Sequence, residues 1–104
     1  MIDKMSKEKI IRLLNENMNE IRKFGVRKIG IFGSFSRDEG KDESDIDVVV
    51  EFEKGKATFK NFGGLADYLE NLFGRAVDIL TPAGIESIRI NETKEEIKKG
   101  IIYV

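Results

Sequence analysis

Two apolar runs that flank a highly charged connection constrain the fold more than any other part of the sequence. The first run ends at Gly33-Ser34, and the second begins directly after Asp47. Both are short and rich in β-branched and aromatic residues, which predicts strands over 26–32 and 45–52. Three consecutive valines in the second run predict a strand that is buried on both faces, and therefore one in the centre of a sheet.

Helical periodicity and turn residues define the other predicted elements. Apolar residues recur at intervals of three and four before the first strand and after the second, as in amphipathic helices. Before and between the two strands, the prediction is a helix over 4–24, a helical turn or loop over 35–39 and an exposed connector over 40–44. After the second strand, it is a helix over 58–73 that Gly63-Gly64 could interrupt, a strand over 75–80 and a turn over 81–84. The chain closes with a weaker helix within 85–99 and a strand or docking tail over 101–104. This order predicts an α/β (α+β) fold, with a small mixed sheet of about four strands packed by helices.

Length and composition restrict the chemistry. The 104 residues predict a single domain, 1–104, without a second substrate-binding lobe. Cysteine and histidine are both absent, so thiol chemistry and His-rich metal sites are excluded, and carboxylates become the leading candidates for a general base. No apolar run is long enough to cross a membrane, and no aromatic-studded basic patch suggests nucleic acid as a direct partner. We therefore expect a soluble, cytoplasmic protein.

Paired carboxylates mark the start of the second predicted strand. Side chains alternate faces along a strand, so Asp45 and Asp47 share a face about 6–7 Å apart. Two such anions repel each other unless a cation or water lies between them, and Mg²⁺ accepts carboxylates together with phosphate oxygens. The pattern therefore predicts a metal site. The alternative is that Ser44-Asp45 caps a turn and that Asp47 faces solvent.

Three further positions complete the candidate site. A strand that turns at Gly33-Ser34 into a helical turn presents backbone N–H groups and a hydroxyl, which suits a phosphate, although an ordinary strand-end turn has the same composition. Asp78 lies in the third predicted strand and becomes a third ligand, or the base for an attacking hydroxyl, if that strand neighbours the second. Otherwise Asp78 is an edge-strand residue that faces water. Arg37 either contacts a triphosphate oxygen or forms a surface ion pair with Asp38, Glu39 or Glu43.

The spacing Gly33-Ser34, ten residues, then Asp45-Ile46-Asp47 resembles the Gly-Ser-x10-Asp-x-Asp signature of the polymerase-β-like nucleotidyltransferases. The short length, Arg37, Ser44 and the closing Ile-Tyr-Val resemble the minimal nucleotidyltransferase (MNT) proteins, which are antitoxins encoded beside HEPN ribonuclease toxins. The resemblance covers nearly the whole chain. It departs from the family at Ser36 and Asp38, where Ala and Gly are frequent, and this departure concerns the geometry of the loop.

The resemblance implies a function. It implies that Asp45, Asp47 and Asp78 bind two Mg²⁺ ions, and that Gly33 and Ser34 hold ATP. The implied reaction is the transfer of AMP to a tyrosine of a HEPN toxin. Two alternatives remain open: an antitoxin that neutralises its toxin by binding alone, and the nucleotide-binding subunit of a two-chain small-molecule nucleotidyltransferase. Candidates for an exposed partner surface are Phe35, Phe59, Phe62 and residues 101–104, although ordinary core packing is the favoured interpretation for any single one of them.

Overall fold

A computed structural model describes residues 5–37 and 45–104 of the chain. The predicted connector over 40–44, the end of the predicted turn over 35–39 and the first residue of the predicted N-terminal helix therefore lie outside the described residues. In chain order, the elements are α1 (Lys7–Glu16), α2 (Met18–Arg22), β1 (Val26–Phe32), α3 (Gly33–Ser36), β2 (Ile46–Phe52), α4 (Phe59–Phe73), β3 (Val77–Leu80), α5 (Pro82–Glu86), α6 (Asn91–Gly100) and β4 (Ile102–Tyr103).

The four strands form one mixed sheet in the order β3-β2-β1-β4. β1 pairs antiparallel with both β2 and β4, whereas β2 and β3 run parallel. The predicted fold class is confirmed, and so is the central position of β2, whose three consecutive valines are all fully buried. No helix in the described ranges is long and apolar enough to cross a membrane.

Helix α4 makes the parallel pairing of β2 and β3 possible, because parallel neighbours require a crossover connection. The Thr58 hydroxyl caps the helix by accepting from the backbone N–H of Asn61, and Gly74 ends it at a φ of 69°. The glycine pair does not interrupt it. A Cβ on Gly64 would lie 2.9 Å from the ring of Phe24, so this glycine lets the helix pack closely against the end of the α2 segment.

The two faces of the sheet are covered unequally. One face packs against α1, α2 and α4 in a core of 14 buried residues, which we call the large core. The other face packs against α5 and α6 around only three buried residues, Phe32, Val49 and Ile85, which we call the small core. Because side chains alternate along β2, Val48 belongs to the large core and its neighbour Val49 to the small one.

Three predicted elements differ in the structure. The single N-terminal helix is broken at Asn17, whose side-chain amide donates to the Leu13 carbonyl while its oxygen accepts from the Tyr68 hydroxyl. The turn predicted over 81–84 is instead the start of α5, because the Thr81 hydroxyl caps the backbone N–H of Gly84 and Pro82 fits the first helical turn. Gly100 is the last residue of α6, whereas the sequence prediction ended this helix at 99.

The candidates for an exposed surface differ in their exposure. Phe35 is 3% exposed and belongs to the large core, so it follows the core alternative and is not a surface residue. Phe59 is 96% exposed and Phe62 is 38% exposed. The C-terminal residues 101–104 form the short edge strand β4 and its flanks, which pack against β1 and are half-buried except at Tyr103.

Candidate active site

The turn between β1 and α3 brings the backbone against a carboxylate. Gly33 has a φ of 75°, a region that side chains with a Cβ rarely adopt. A Cβ built on Gly33 would overlap a carboxylate oxygen of Asp47. The turn is closed by its own hydrogen bonds, because the Ser36 hydroxyl donates to the Gly33 carbonyl at 2.9 Å and the Arg37 N–H donates to the same oxygen at 3.3 Å. Glycine is therefore required at this position.

Strand register places the carboxylates in a row. Phe32, the last residue of β1, pairs with Asp47 on β2, and Asp47 pairs in turn with Asp78 on β3. Asp45 directly precedes β2 and is exposed, Asp47 is half-buried, and Asp78 is exposed. The condition on which the sequence prediction for Asp78 depends, that β3 neighbours β2, is thus met. Asp78 is nevertheless on an edge strand, as its alternative interpretation required.

Electrostatics show how close these groups are. The pKa of Asp47 is raised to about 6, first by burial, then by the negative charges of Asp78 and Asp45 and by a side-chain hydrogen bond with Asp78. The positive charge of Arg37 acts in the opposite direction. A hydrogen bond between two carboxyl groups needs a proton on one of them, so without a cation Asp47 keeps its proton to a higher pH than an ordinary aspartate does.

The donor set suits an ion that also takes ligands from a substrate. Within residues 5–37 and 45–104, no three acidic, His or Cys side chains form a ready-made metal cluster. Mg²⁺ does not need one, because it is usually held by one or two carboxylates and completes its shell with water and substrate phosphates. Carboxylates whose negative charges help to raise the pKa of Asp47 fit such an ion, because its positive charge offsets their repulsion. The roles of Asp45, Asp47 and Asp78 as ligands remain predictions.

Arg37 is the residue at the C-terminal cap of α3, and it is exposed. Its charge reaches the carboxylates, since it lowers the pKa of Asp47. In its alternative interpretation, Arg37 forms a surface ion pair with Asp38, Glu39 or Glu43, and these three residues lie outside the described residues. The structure therefore brings Gly33, Ser34 and Arg37 to the same end of the sheet as the three carboxylates.

Comparison with known proteins assigns this arrangement to a family. The profile of the nucleotidyltransferase domain family matches residues 11–104. The chain belongs to this family. It is 40% identical over 98 residues to the protein adenylyltransferase MntA of Thermococcus cleftensis, a match that covers 93% of this chain and 94% of the relative.

Solved structures agree with the fold of this nucleotidyltransferase. A protein assigned as a minimal nucleotidyltransferase superposes with a TM-score of 0.72 at 26% identity, covering 94% of this chain and 95% of the other. A toxin–antitoxin structure with AMP-PNP superposes with a TM-score of 0.60 at 22% identity, covering 95% of this chain and 72% of that one. The resemblance to minimal nucleotidyltransferases inferred from the sequence is confirmed.

Ser36 also belongs to this site. The sequence singled it out only because Ala is frequent at this position in the family. It is buried, and its hydroxyl bonds the Gly33 carbonyl one turn back. Serine hydroxyls commonly satisfy a backbone carbonyl of the preceding turn in this way. The substitution therefore preserves a closed turn. Asp38, the second departure, lies outside the described residues.

Proposed function

We propose that this nucleotidyltransferase is a Mg²⁺-dependent protein adenylyltransferase that transfers AMP from ATP to a tyrosine of a HEPN ribonuclease toxin and thereby acts as its antitoxin. The observation that carries the proposal is the row of carboxylates Asp45, Asp47 and Asp78 beside the Gly33 turn. Support for the protein acceptor comes from MntA, the relative with 40% identity, which is named a protein adenylyltransferase.

Each residue would have a distinct task. Asp45 and Asp47 would hold the metal, as two ions in the sequence-based prediction. Gly33 would let the triphosphate approach the backbone, while Ser34 would offer its hydroxyl. When bound, Mg²⁺ would supply charge neutralisation at the phosphates. Asp78 is exposed and pairs with Asp47 on the neighbouring strand, and it would accept the proton of the attacking tyrosine hydroxyl. A bond forms between that oxygen and the α-phosphorus as the bond to pyrophosphate breaks.

An acceptor on another protein agrees with the shape of this chain. The described residues build one sheet and its helices, and the carboxylate row lies at the edge of that sheet with Asp45 and Asp78 exposed. A tyrosine held on a partner can therefore reach the carboxylates from outside. The toxin–antitoxin structure with the same fold gives a precedent for such an assembly. The cytoplasmic location expected from the sequence remains a prediction.

Neutralisation by binding alone is the second candidate. The nearly complete exposure of Phe59 favours a protein-binding surface. This side chain follows the C-terminal end of β2, whereas Asp47 lies at the N-terminal end of that strand. A partner could thus cover the chain without using the carboxylates. The two candidates differ in whether neutralisation needs the acids.

The deciding experiment incubates the protein with its toxin partner, Mg²⁺ and ATP labelled at the α-phosphate. We expect label on a toxin tyrosine, a loss of at least about a hundredfold in rate for Asp45→Asn and Asp47→Asn, and a loss of at least about tenfold for Asp78→Asn. Asp67→Asn, which alters an exposed carboxylate on α4, is the matched control and should retain full activity. Toxin neutralisation without label, unaffected by Asp47→Asn, would establish binding alone.

A further inference from the structure

A cavity of about 610 Å³ opens between the end of α3 and the last turn of α6. Its described lining consists of Arg37, Glu96, Lys99 and Gly100. The volume is within the usual range for small-molecule sites, about 300–1,000 Å³. Two of these described lining residues are cations and one is an anion, a balance that suits an anionic ligand better than a neutral or cationic one.

The cavity adjoins the carboxylate row. Arg37 lines it and also lowers the pKa of Asp47 by its charge. On the other wall, Gly100 packs so closely that a Cβ would lie 3.4 Å from the Ser36 hydroxyl oxygen, which itself bonds the Gly33 carbonyl. Only the single turn of α3, about 6 Å long, separates the cavity from the carboxylates. An extended triphosphate is comparable in length to that turn.

Two neighbouring lysines on α6 have different surroundings. Lys98 forms an ion pair of 2.7 Å with Glu86 on α5. Lys99, one residue on, turns by about 100° around the helix and lines the cavity instead. Within residues 5–37 and 45–104, none of the ion pairs involves Lys99. Lys98 thus has an ion-pair partner within the described residues, and Lys99 has none there.

We propose that this cavity binds the β- and γ-phosphates of the nucleotide, with Lys99 as a cationic contact opposite Arg37. The α-phosphate must lie at the carboxylates, where the acceptor attacks. The departing pyrophosphate takes the electron pair of the broken bond to the α-phosphorus and gains negative charge, which Lys99 neutralises. The acceptor oxygen bonds to phosphorus, and its proton passes to Asp78. The reaction part of this inference rests on the proposed function, whereas the binding part requires only nucleotide binding.

Calorimetric titration of the full chain in Mg²⁺ tests the assignment with ATP, AMP and inorganic tripolyphosphate as probes. For Lys99→Gln we expect about three- to tenfold weaker binding of ATP and tripolyphosphate, the range of a partly exposed charge contact, and unchanged AMP binding. Lys98→Gln is the matched control, because it removes the same charge from the adjacent position and should leave all three affinities unchanged. Glu96→Gln, which removes the cavity's anion, should strengthen tripolyphosphate binding. Lys99→Arg should restore most of the ATP affinity.

Two results would overturn the assignment. The first is equal ATP and tripolyphosphate affinity in Lys99→Gln and Lys98→Gln. The second is weaker toxin binding in Lys99→Gln with unchanged ATP affinity, which would make the cavity a protein contact. The two proposals can fail separately. If the unaltered protein transfers no AMP to the toxin, the proposed function is refuted. If Lys99→Gln still weakens tripolyphosphate binding as expected, the cavity is supported as a polyphosphate site.

Discussion

Successive residues of β2 belong to opposite faces of the sheet, and the two faces carry different kinds of side chain. Ile46, Val48 and Val50 are fully buried in the large core. Asp47 and Val49 alternate with them and belong to the face where the small core has only three buried residues. The carboxylates that the site requires are thus on the face that helices cover least.

This difference follows from opposite physical requirements. A buried apolar side chain stabilises the fold roughly in proportion to the area removed from water. A carboxylate that binds an ion must remain accessible, and complete burial would keep it protonated. Asp47 lies between these limits, half-buried and with a pKa raised to about 6. The large core therefore supplies most of the stability, which leaves the opposite face free for chemistry.

The largest expected effect concerns the glycine that faces Asp47. In Gly33→Ala the new Cβ would collide with the Asp47 carboxylate and would have to adopt a φ of 75°. We expect AMP transfer to fall at least about a hundredfold, as for other displacements of reacting groups by about 1 Å. The free energy of unfolding should fall by about 1–2 kcal/mol. Labelled-ATP assays and urea denaturation measure these quantities.

Gly63→Ala is the matched control for that substitution. Gly63 lies inside α4, and a Cβ there meets no other atom within 4 Å. Replacing a helical glycine by alanine should raise the free energy of unfolding by about 0.5–1 kcal/mol and leave transfer unchanged. Full activity in Gly33→Ala would show that the turn does not position Asp47. It would then contradict the assignment of the chemistry to the face of the sheet that carries Asp47.

The same truncation on adjacent residues compares the cores directly. Val48→Ala and Val49→Ala each remove two buried methyl groups from fully buried positions on opposite faces. We expect about 2–3 kcal/mol of lost stability for Val48→Ala, and about 1–2 kcal/mol for Val49→Ala because the small core can relax more easily. Chemical denaturation measures both, and a larger loss in Val49→Ala would reverse the assignment of stability to the large core.

A smaller effect comes from the protonation of Asp47. Its carboxyl has a pKa of about 6 in the folded protein and an ordinary value of 3.8, so between about pH 4 and 6 the folded state holds a proton that the unfolded state releases. The stability of the metal-free protein should therefore fall as pH rises through this interval. Asp47→Asn should lose that decline, and Asp67→Asn should keep it. Urea titrations with a chelator across pH 4–7 test this, and identical pH profiles for both variants would contradict it.

The smallest effect on stability is expected at the most exposed aromatic residue. Phe59→Ser removes a side chain that is 96% exposed and should change the free energy of unfolding by less than about 0.5 kcal/mol. Phe62→Ser should cost more, because that ring packs 6.3 Å from the ring of Phe52. If toxin binding weakens in Phe59→Ser while stability is kept, the exposed ring is part of the partner surface. Unchanged toxin affinity would place that surface elsewhere.

Local patterns in the sequence were sufficient for the sheet and the carboxylates. The bounds of β1 follow from its apolar run, and the triple valine identifies β2 as central because only burial on both faces favours such a run. Asp78 could be placed beside Asp47 only on the condition that the third strand neighbours the second. The structure meets that condition through the crossover helix α4.

Features that depend on distant contacts could not be predicted in the same way. The break at Asn17 involves Tyr68, 51 residues further along the chain. Phe35 is apolar and lies in a turn, which is compatible with either surface or core, and its burial beneath the Arg75 guanidinium depends on the approach of another element. The cavity beside α3 likewise requires the position of α6, which no periodicity within α6 specifies.

The unequal strand lengths have a consequence for the chain in a crowded solution. β1 and β2 have seven residues each and are paired on both sides, whereas the outer strands β3 and β4 have four and two. Unpaired backbone on a long outer strand recruits strands from other molecules and promotes aggregation. In the described sheet, β4 pairs with Gly30 and Ile31 of β1, and β3 pairs with Ile46 to Val49 of β2. Each outer strand therefore offers only a short template for self-association, and the stretches of β1 and β2 beyond these pairs are short as well.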